Sequence, residues 1–422
     1  MRLSVKGSKP AVLFSTPVLH HPPVGGPTLR IENSIKALSE ISDLYIYSRV
    51  PVHGLGGASG LSFYNKYCKA VYFAPHNKNA KLPWRAINWL SRRIFRSNVF
   101  GVNQESEKVY RVLLERAHSI RADLIWLGYG NISYGLLRYI KEHSTYKVVL
   151  DTDSVWSRFV LRGLPFAQDD QERRRIEAVG KEKEAEERWG TELADVTTAV
   201  SEVDGEYYRK LARHPQQVHL FSNAIDLESY LKVPRPPDNF RRPCLYLAGT
   251  FGPRSPMDDA ARWAIREIFP LVRQQIPNIQ LYIVGSGSDH TLSDIRDPGI
   301  TITGRLPSTL PHLCYADVAI VPLRFESGTR FKILEAAACG IPVVSTALGA
   351  EGIAVSHGED MLIADKPRSF ADSIIRLIKD RDFALRMAKN LKTLVYEKYS
   401  LTSLTQEGQR ILEYLLQKRL EH

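Results

Sequence analysis

The sequence predicts an α/β protein with two doubly wound domains. Short apolar segments of strand length alternate with helical segments, first over residues 1–233 and again over residues 242–398. This alternation is typical of parallel sheets that are covered by helices. Residues 232–240 separate the two halves, and their prolines cannot lie inside a helix or a central strand. We therefore place one domain on each side of this linker and a final helical segment at residues 399–422.

Composition indicates a globular protein with an acidic partner. The 422 residues carry a net charge of +11, with 44% hydrophobic and 24% charged residues. No apolar run approaches the ~18–20 residues that span a membrane, and residues 1–7 lack the apolar core of a secretory signal. Four scattered cysteines suit a reducing cytoplasm. Zinc-finger spacing and RNA-binding aromatic signatures are absent from the sequence, so we expect no nucleic-acid partner.

The N-terminal half opens with a strand, a glycine-containing loop and a helix. Residues 11–15 are predicted to form the strand, residues 28–39 the helix, and residues 43–48 a second strand. Gly25 and Gly26 lie in the loop between the first strand and the helix. Such a loop opens a ligand crevice at the carboxyl end of a strand in α/β proteins. A tight turn explains it equally well, because Gly-x-Gly-x-x-Gly spacing is absent.

Residues 78–96 have the pattern of a basic amphipathic helix. Apolar side chains recur on one arc at about 100° per residue, and arginines lie on the opposite arc together with Trp89. This pattern suits peripheral contact with an anionic membrane, such as the inner face of the cell membrane. A surface helix that packs its apolar side into the core produces the same pattern. Both interpretations stay open at this point.

Two further predicted strands, at residues 123–127 and 146–150, end in polar residues. Asp151 and Asp153 follow the second strand, and polar residues just past parallel strands point into the ligand crevice. A carboxylate there can orient or deprotonate an acceptor hydroxyl. Alternatively, Asp151 or Asp153 caps the helix that comes next. Both aspartates are candidate catalytic residues.

The C-terminal half repeats the strand, loop and helix opening. Residues 244–248 are predicted to form a strand, Gly249 and Arg254 lie in the loop, and a helix begins at Met257. Residues 279–284 form the next predicted strand, which leads into a Gly-Ser-Gly-Ser turn. Further strands and helices are expected at residues 300–303, 317–322, 368–379, 381–399 and 401–418.

Residues 326–345 read as a loop, a helix at residues 331–338, a turn and a buried strand. A glycine and a proline follow the helix and end it. Ser327 or Thr329 is expected to cap its N-terminus.

The N-terminus of this helix has the features of an anion site. Gly328 allows a ligand to approach free backbone amides, and Arg330 and Lys332 add positive charge. Glu335 lies one turn after Lys332 and shares its face. The cations suit a phosphate ester, and the carboxylate suits the hydroxyls of a sugar. A solvated, capped helix with an ion pair is the alternative.

Residues 335–344, Glu-Ala-Ala-Ala-Cys-Gly-Ile-Pro-Val-Val, resemble the second-domain motif of family 4 glycosyltransferases, which are sugar-nucleotide enzymes with the GT-B fold. Residues 328–336 resemble the Gly-Thr-Arg-x-Lys-x-Leu-Glu-Ala form of that motif found in a subset of the family. The family's first glutamate falls at Ser327 here, and the nearest carboxylate is Glu326.

This resemblance implies two Rossmann-like domains that face each other across a cleft, with the final helix crossing back to the first domain. It implies transfer of a sugar, with retention, from a nucleoside diphosphate sugar to a hydroxyl of a glycan or lipid-linked acceptor. It also implies a place in cell-surface polysaccharide or glycolipid synthesis.

The resemblance further assigns roles to the candidate residues. Glu326 is the third candidate catalytic residue and would contact a hydroxyl of the donor sugar, while Glu335 would contact the ribose. The residues expected to bind the donor phosphates are Gly25, Gly26, Gly249, Arg254, Gly328, Thr329, Arg330 and Lys332. We expect no metal cofactor, because the sequence shows no acidic triplet or metal-ligand cluster. Two alternatives are a nucleotide-sugar isomerase of the same fold and a non-catalytic protein that binds polyanions or membranes.

Overall fold

The computed structural model describes residues 9–75, 107–326 and 331–417, and every structural statement below concerns these residues. Their strands are β1 (Ala11–Thr16), β2 (Asp43–Ser48), β3 (Ala70–Phe73), β4 (Leu124–Gly128), β5 (Lys147–Asp151), β6 (Val196–Ala199), β7 (Val218–Leu220), β8 (Cys244–Ala248), β9 (Gln280–Val284), β10 (Ile300–Ile302), β11 (Val318–Val321), β12 (Val343–Ser345) and β13 (Leu362–Ile363).

The α-helices are α1 (Gly26–Ile41), α2 (Gly57–Tyr64), α3 (Glu107–Ser119), α4 (Tyr134–His143), α5 (Trp156–Leu161), α6 (Asp170–Leu193), α7 (Glu202–Leu211), α8 (Pro256–Trp263), α9 (Phe269–Gln275), α10 (Ser288–Thr291), α11 (Leu310–Leu313), α12 (Phe331–Ala338), α13 (Ala347–Ala350), α14 (Pro367–Lys379), α15 (Arg381–Lys398) and α16 (Leu401–Gln417). Short 3-10 helices span Val52–Leu55, Gly130–Ile132, Leu164–Phe166, Pro215–Gln217 and Leu227–Tyr230, and a π-helical turn at Ala264–Ile268 joins α8 to α9.

The strands form two sheets. The first has the order β3-β2-β1-β4-β5-β6-β7, and the second has the order β10-β9-β8-β11-β12-β13. All five strand pairs of the second sheet are parallel. In the first sheet, the pairs β3-β2, β2-β1, β1-β4 and β4-β5 are parallel as well. Most of the strands carry runs of Val, Ile and Leu that are buried, as expected for parallel sheets with helices on both faces. The predicted doubly wound α/β class is confirmed.

Helical and strand periodicity located the elements closely. The bounds of β2, β8 and α12 match the predicted ranges, and most of the other predicted strands differ by one or two residues at an end. Gly340, the second residue after α12, adopts a left-handed conformation (φ +70°), which is why the helix stops where the sequence predicts. The linker at residues 232–240 contains no regular element.

Backbone packing divides the chain into two compact units. One comprises residues 1–152 and 189–197, and the other comprises residues 153–188 and 198–422. The predicted domain boundaries at residues 233 and 242 stay a prediction. Within the second unit, Glu407 of α16 accepts hydrogen bonds from the backbone N–H and hydroxyl of Ser222, at 2.6 and 2.8 Å. The Tyr414 ring lies 4.7 Å from His219 of β7, so α16 packs against the end of that strand.

No described helix combines the length and apolar character that a membrane crossing requires. The predicted amphipathic helix at residues 78–96 lies outside the described residues.

Candidate active site

The strand order of the second sheet reverses between β8 and β11. In open parallel sheets, ligands bind at such a reversal, beyond the carboxyl ends of the strands, because the two connections leave in opposite directions and open a crevice. The loop at residues 249–255 follows β8, and residues 322–326 follow β11. Gly249, Arg254 and Glu326, which the sequence analysis selected, therefore lie on these two connections.

Glycine is required where the connections after β8 and β9 pack together. A Cβ atom on Gly285 would lie 1.9 Å from the carbonyl oxygen of Gly249, and Gly285 has φ +136°. The N–H of Phe251 donates to the carbonyl of Ser286 at 2.8 Å. The Gly-Ser-Gly-Ser turn thus supports the Gly249 loop from beneath, and its glycines are explained by this packing.

Ser255 ends the Gly249 loop and caps α8, because its hydroxyl accepts a hydrogen bond from the N–H of Asp258. Arg254 adopts a left-handed conformation (φ +57°), and its side chain is 55% exposed. The guanidinium lies 3.7 Å from Glu172 of α6. Arg254 is therefore on the predicted loop, with its charge near a carboxylate at the surface.

Lys332 lies in the first turn of α12 and contacts the Gly249 side of the site. Its ammonium is 3.0 Å from the sulfur of Met257, the second residue of α8. Met257 in turn packs against Gly249, where an added Cβ would lie 2.8 Å from the Met257 side chain. The structure thus brings together Gly249 and Lys332, from the two connections that flank the reversal. The sequence predicts Met257 only as the start of a helix and does not reveal its contact with Lys332.

Glu335 lies one turn after Lys332 and is held by a residue that the sequence analysis did not select. Tyr230 donates its hydroxyl hydrogen to Oε1 of Glu335 at 3.1 Å. Burial raises the pKa of Glu335 above its usual value, while the Tyr230 hydrogen bond and the charge of Lys332 lower it. Burial and the neighbouring Glu335 also raise the pKa of Tyr230, so its hydroxyl stays protonated and donates. No local pattern marks Tyr230, because its partner is 105 residues away.

Gly328, Thr329 and Arg330 lie outside the described residues, as does the predicted cap Ser327. Glu326 is the last described residue before them. Its carbonyl oxygen accepts a hydrogen bond from Nη1 of Arg162 at 2.7 Å.

In the first sheet, the strand order reverses between β1 and β4. Gly25 occupies the N-cap position of α1 without a side-chain cap, and Gly26 is the first residue of that helix. An added Cβ on Gly25 would meet no atom within 4 Å. These glycines are therefore at the open N-terminus of a helix of 16 residues, at the crevice edge of their own sheet.

Asp151 is fully buried and bound on both carboxylate oxygens. Nη2 of Arg30 donates to Oδ1 at 2.5 Å, and the Trp126 indole donates to Oδ2 at 3.2 Å. Arg30 also donates to the carbonyl of Thr152 at 3.1 Å. Arg30 and Asp151 therefore join the first turns of α1 to the end of β5. This arrangement gives Asp151 a clear structural role, and its catalytic role stays a prediction.

Asp153 accepts a hydrogen bond from the Trp156 indole at 3.2 Å and is partly buried. The alternative prediction that Asp151 or Asp153 caps the next helix is wrong. Val155 occupies the N-cap position of α5, and no side chain caps it. The two aspartates bind an arginine and two indoles instead. Arg30 and Trp126 are distant from Asp151 in sequence, whereas Trp156 is three residues after Asp153.

Within the described ranges, no group of three or more histidine, cysteine, aspartate or glutamate side chains is arranged to hold a metal ion.

Residues 243–380 match a protein-family model described as "Glycosyl transferases group 1". Gly249, Arg254, Lys332 and Glu335 all lie inside that range. A 44.6 kDa uncharacterized protein in the cps region of Klebsiella pneumoniae is 27% identical over 146 residues, which are 32% of this chain and 38% of that protein. D-inositol 3-phosphate glycosyltransferase of Paenarthrobacter aurescens is 32% identical over 124 residues, which are 26% of this chain and 30% of that protein. The chain thus matches about a third of the length of each of these two relatives.

Solved structures match nearly the whole chain. HepE of Anabaena, solved with UDP and glucose, has a TM-score of 0.62 at 11% identity, covering 96% of this chain and 99% of that one. Sucrose-phosphate synthase of Thermosynechococcus elongatus has a TM-score of 0.68 at 17% identity, covering 97% of this chain and 100% of that one. The fold is GT-B. At these identities the similarity establishes the fold and nothing finer.

In this GT-B protein the buried Arg30–Asp151 pair provides a stability test. We predict that Asp151→Asn lowers the free energy of unfolding by about 3 kcal/mol, because it leaves a buried guanidinium without its counter-charge. Urea denaturation measures the change.

Asp43→Asn is the matched control. It removes the carboxylate that pairs with Lys69 at 3.2 Å on the surface, where both side chains are exposed, and we expect a change below about 1 kcal/mol. Equal stability of the two variants would contradict the structural role of Asp151.

Proposed function

We propose that the protein is a glycosyltransferase that moves a sugar, with retention, from a nucleoside diphosphate sugar to a hydroxyl of an acceptor. One observation carries this proposal. Lys332 and Glu335 lie one turn apart at the start of α12, and Lys332 contacts the residue that packs on Gly249. A cation and a carboxylate therefore stand side by side at the strand reversal, within the range that matches a glycosyltransferase model.

The proposed chemistry of these groups follows from their charges. The departing nucleoside diphosphate develops negative charge, which the ammonium of Lys332 and the amides at the N-terminus of α12 stabilise. Ionised Glu335 accepts hydrogen bonds from ribose hydroxyls. We propose no metal cofactor, since these fixed positive groups supply the stabilisation.

The remaining candidates extend this site as proposals. Arg330, Gly328 and Thr329 would add a second cation and a close backbone approach to the diphosphate. Glu326 would contact a hydroxyl of the donor sugar. Arg254 is on the loop after β8, and Gly25 and Gly26 are at the N-terminus of α1, where we propose that they contact the donor phosphates.

The donor and acceptor are proposed by class. HepE was solved with UDP and with UDP-glucose, so UDP-sugars come first in a donor panel. We propose a glycan or lipid-linked acceptor of the cell surface. Contact between residues 78–96 and an anionic membrane on the cytoplasmic side remains part of this proposal.

We predict that Lys332→Ala weakens UDP binding about tenfold to a hundredfold, because a charge-assisted contact to the diphosphate is lost. Isothermal titration calorimetry with UDP measures the affinity.

Hydrolysis and transfer are then followed with UDP-sugars in the presence of a chelator, so that the same assay tests metal independence.

Lys389→Ala is the matched control, since Lys389 is an exposed lysine of α15 in the same unit. Equal UDP affinity of wild type and Lys332→Ala would contradict the proposed site.

Release of an epimerised sugar nucleotide without an acceptor would support the isomerase alternative.

Tyr230→Phe gives a second prediction, through pH. The change removes one of the influences that lower the pKa of Glu335, so this carboxyl group becomes protonated at a higher pH than in wild type. Protonated Glu335 no longer accepts hydrogen bonds on both oxygens, so the acid-side loss of UDP affinity should move to higher pH. Calorimetry between about pH 5 and about pH 8 measures the shift.

Tyr315→Phe is the control for this experiment. Tyr315 donates a hydrogen bond to the carbonyl of Pro234 in the linker at 2.9 Å, and no hydrogen bond among the described residues joins it to Glu335. An identical pH profile in wild type and Tyr230→Phe would show that the Tyr230 hydroxyl does not tune the carboxylate.

A further inference from the structure

Arg158 of α5 and Arg162, which directly follows α5, both bind the carboxylate of Glu351. Nη2 of Arg158 lies 3.2 Å from Oε1 of Glu351, and Nη2 of Arg162 lies 2.7 Å from Oε2. Glu351 directly follows α13, which comes after β12 in the sheet that carries the candidate site. Each oxygen of Glu351 thus binds a different guanidinium, and this fixes the position of α5 relative to β12.

Arg158 also pairs with a second carboxylate, that of Asp204. Nη1 of Arg158 lies 3.3 Å from Oδ1 of Asp204, a buried residue in the first turn of α7. Ser201 caps that helix by accepting a hydrogen bond from the N–H of Asp204. Two guanidinium groups therefore face two carboxylates, and the cluster is balanced in charge.

Arg162 also binds the backbone of the connection after β11. Arg162 uses Nη2 for Glu351 and Nη1 for the carbonyl oxygen of Glu326, both at 2.7 Å. A planar guanidinium can hold two such acceptors in fixed directions, which a lysine ammonium does less well.

The two residues before Glu326 are held from the same side. The ring of Phe166, which follows α5, lies 4.5 Å from the ring of Phe325. The Arg324 guanidinium lies over Phe166 at 5.6 Å and over Trp263 at 5.4 Å, and it pairs with Asp259 of α8 at 2.5 Å. Residues 324–326, the last described residues before α12, are thus held by contacts with Arg162, Phe166 and α8.

We propose that Arg162 is a positioning residue for the donor site: it fixes the Glu326 backbone and so orders the described connection at residues 322–326, which leads to the proposed diphosphate site. This inference rests on the proposed function. Arg162 itself touches neither Lys332 nor Glu335 in any described hydrogen bond or ion pair. Its effect would be exerted by limiting the conformations that the connection must lose when the diphosphate binds.

The test compares Arg162→Ala with Arg173→Ala. Arg173 is an exposed arginine of α6 that pairs with Glu177 at 3.7 Å on the same helix, so its removal controls for loss of one surface charge. Arg162→Ala should weaken UDP binding about tenfold by calorimetry, while hydrogen exchange of the amides at residues 323–326 becomes about tenfold faster. Arg173→Ala should match wild type in both measurements.

Arg162→Lys and Glu351→Gln keep the proposal testable if Arg162→Ala does not fold. Arg162→Lys retains the charge but loses the two-acceptor geometry, so it should show most of the loss in UDP affinity with a melting temperature within about 2 °C of wild type. Glu351→Gln should weaken UDP binding to a smaller extent, because one oxygen acceptor remains.

The outcomes separate the two proposals. If wild type binds UDP and both Arg162 variants bind it equally well, the positioning role is overturned and the proposed function stands. If variants with a lower melting temperature lose UDP affinity only in proportion to their lost stability, the role of Arg162 is structural and the inference is also overturned. If wild type binds no nucleoside diphosphate, the proposed function fails, and the positioning role fails with it.

Discussion

The reversal of strand order between β8 and β11 is the constraint on which the candidate site depends. Parallel strands require crossover connections, and at a reversal the two connections leave to opposite sides, which prevents either from covering the strand ends. Gly249 and Lys332 lie on these two connections. Their contact through Met257 exists because the sheet places them side by side, although they are far apart in sequence.

Burial gives the carboxylate of this site its character. The Glu335 side chain packs against Tyr230 in the second unit, and burial raises its pKa. The Tyr230 hydrogen bond and the Lys332 charge oppose that effect and favour the ionised form. An ionised carboxylate beside an ammonium suits a ligand with a phosphate and hydroxyls. Arg162, which is held by Glu351, binds the backbone of Glu326 on the connection after β11.

Local patterns predicted the elements, and they failed where the determining contact was distant. Helix α12 ends at Ala338, two residues before Gly340, and β8 spans residues 244–248 as predicted, because caps and apolar runs act within a few residues. Tyr230 and Glu335 are 105 residues apart, and Arg30 and Asp151 are 121 apart, so no local signal could pair them. The expectation that Asp151 or Asp153 caps α5 failed because both side chains bind other groups: Asp151 binds the distant Arg30, and Asp153 binds the Trp156 indole three residues on.

The central claim is that a nucleoside diphosphate binds between the Gly249 loop and the N-terminus of α12. A crystal structure of the protein with UDP tests it most directly. We predict a diphosphate oxygen about 2.7–3.2 Å from Nζ of Lys332, with the ribose hydroxyls at Glu335. UDP bound elsewhere, with the Lys332 ammonium still resting on the Met257 sulfur, would contradict the claim.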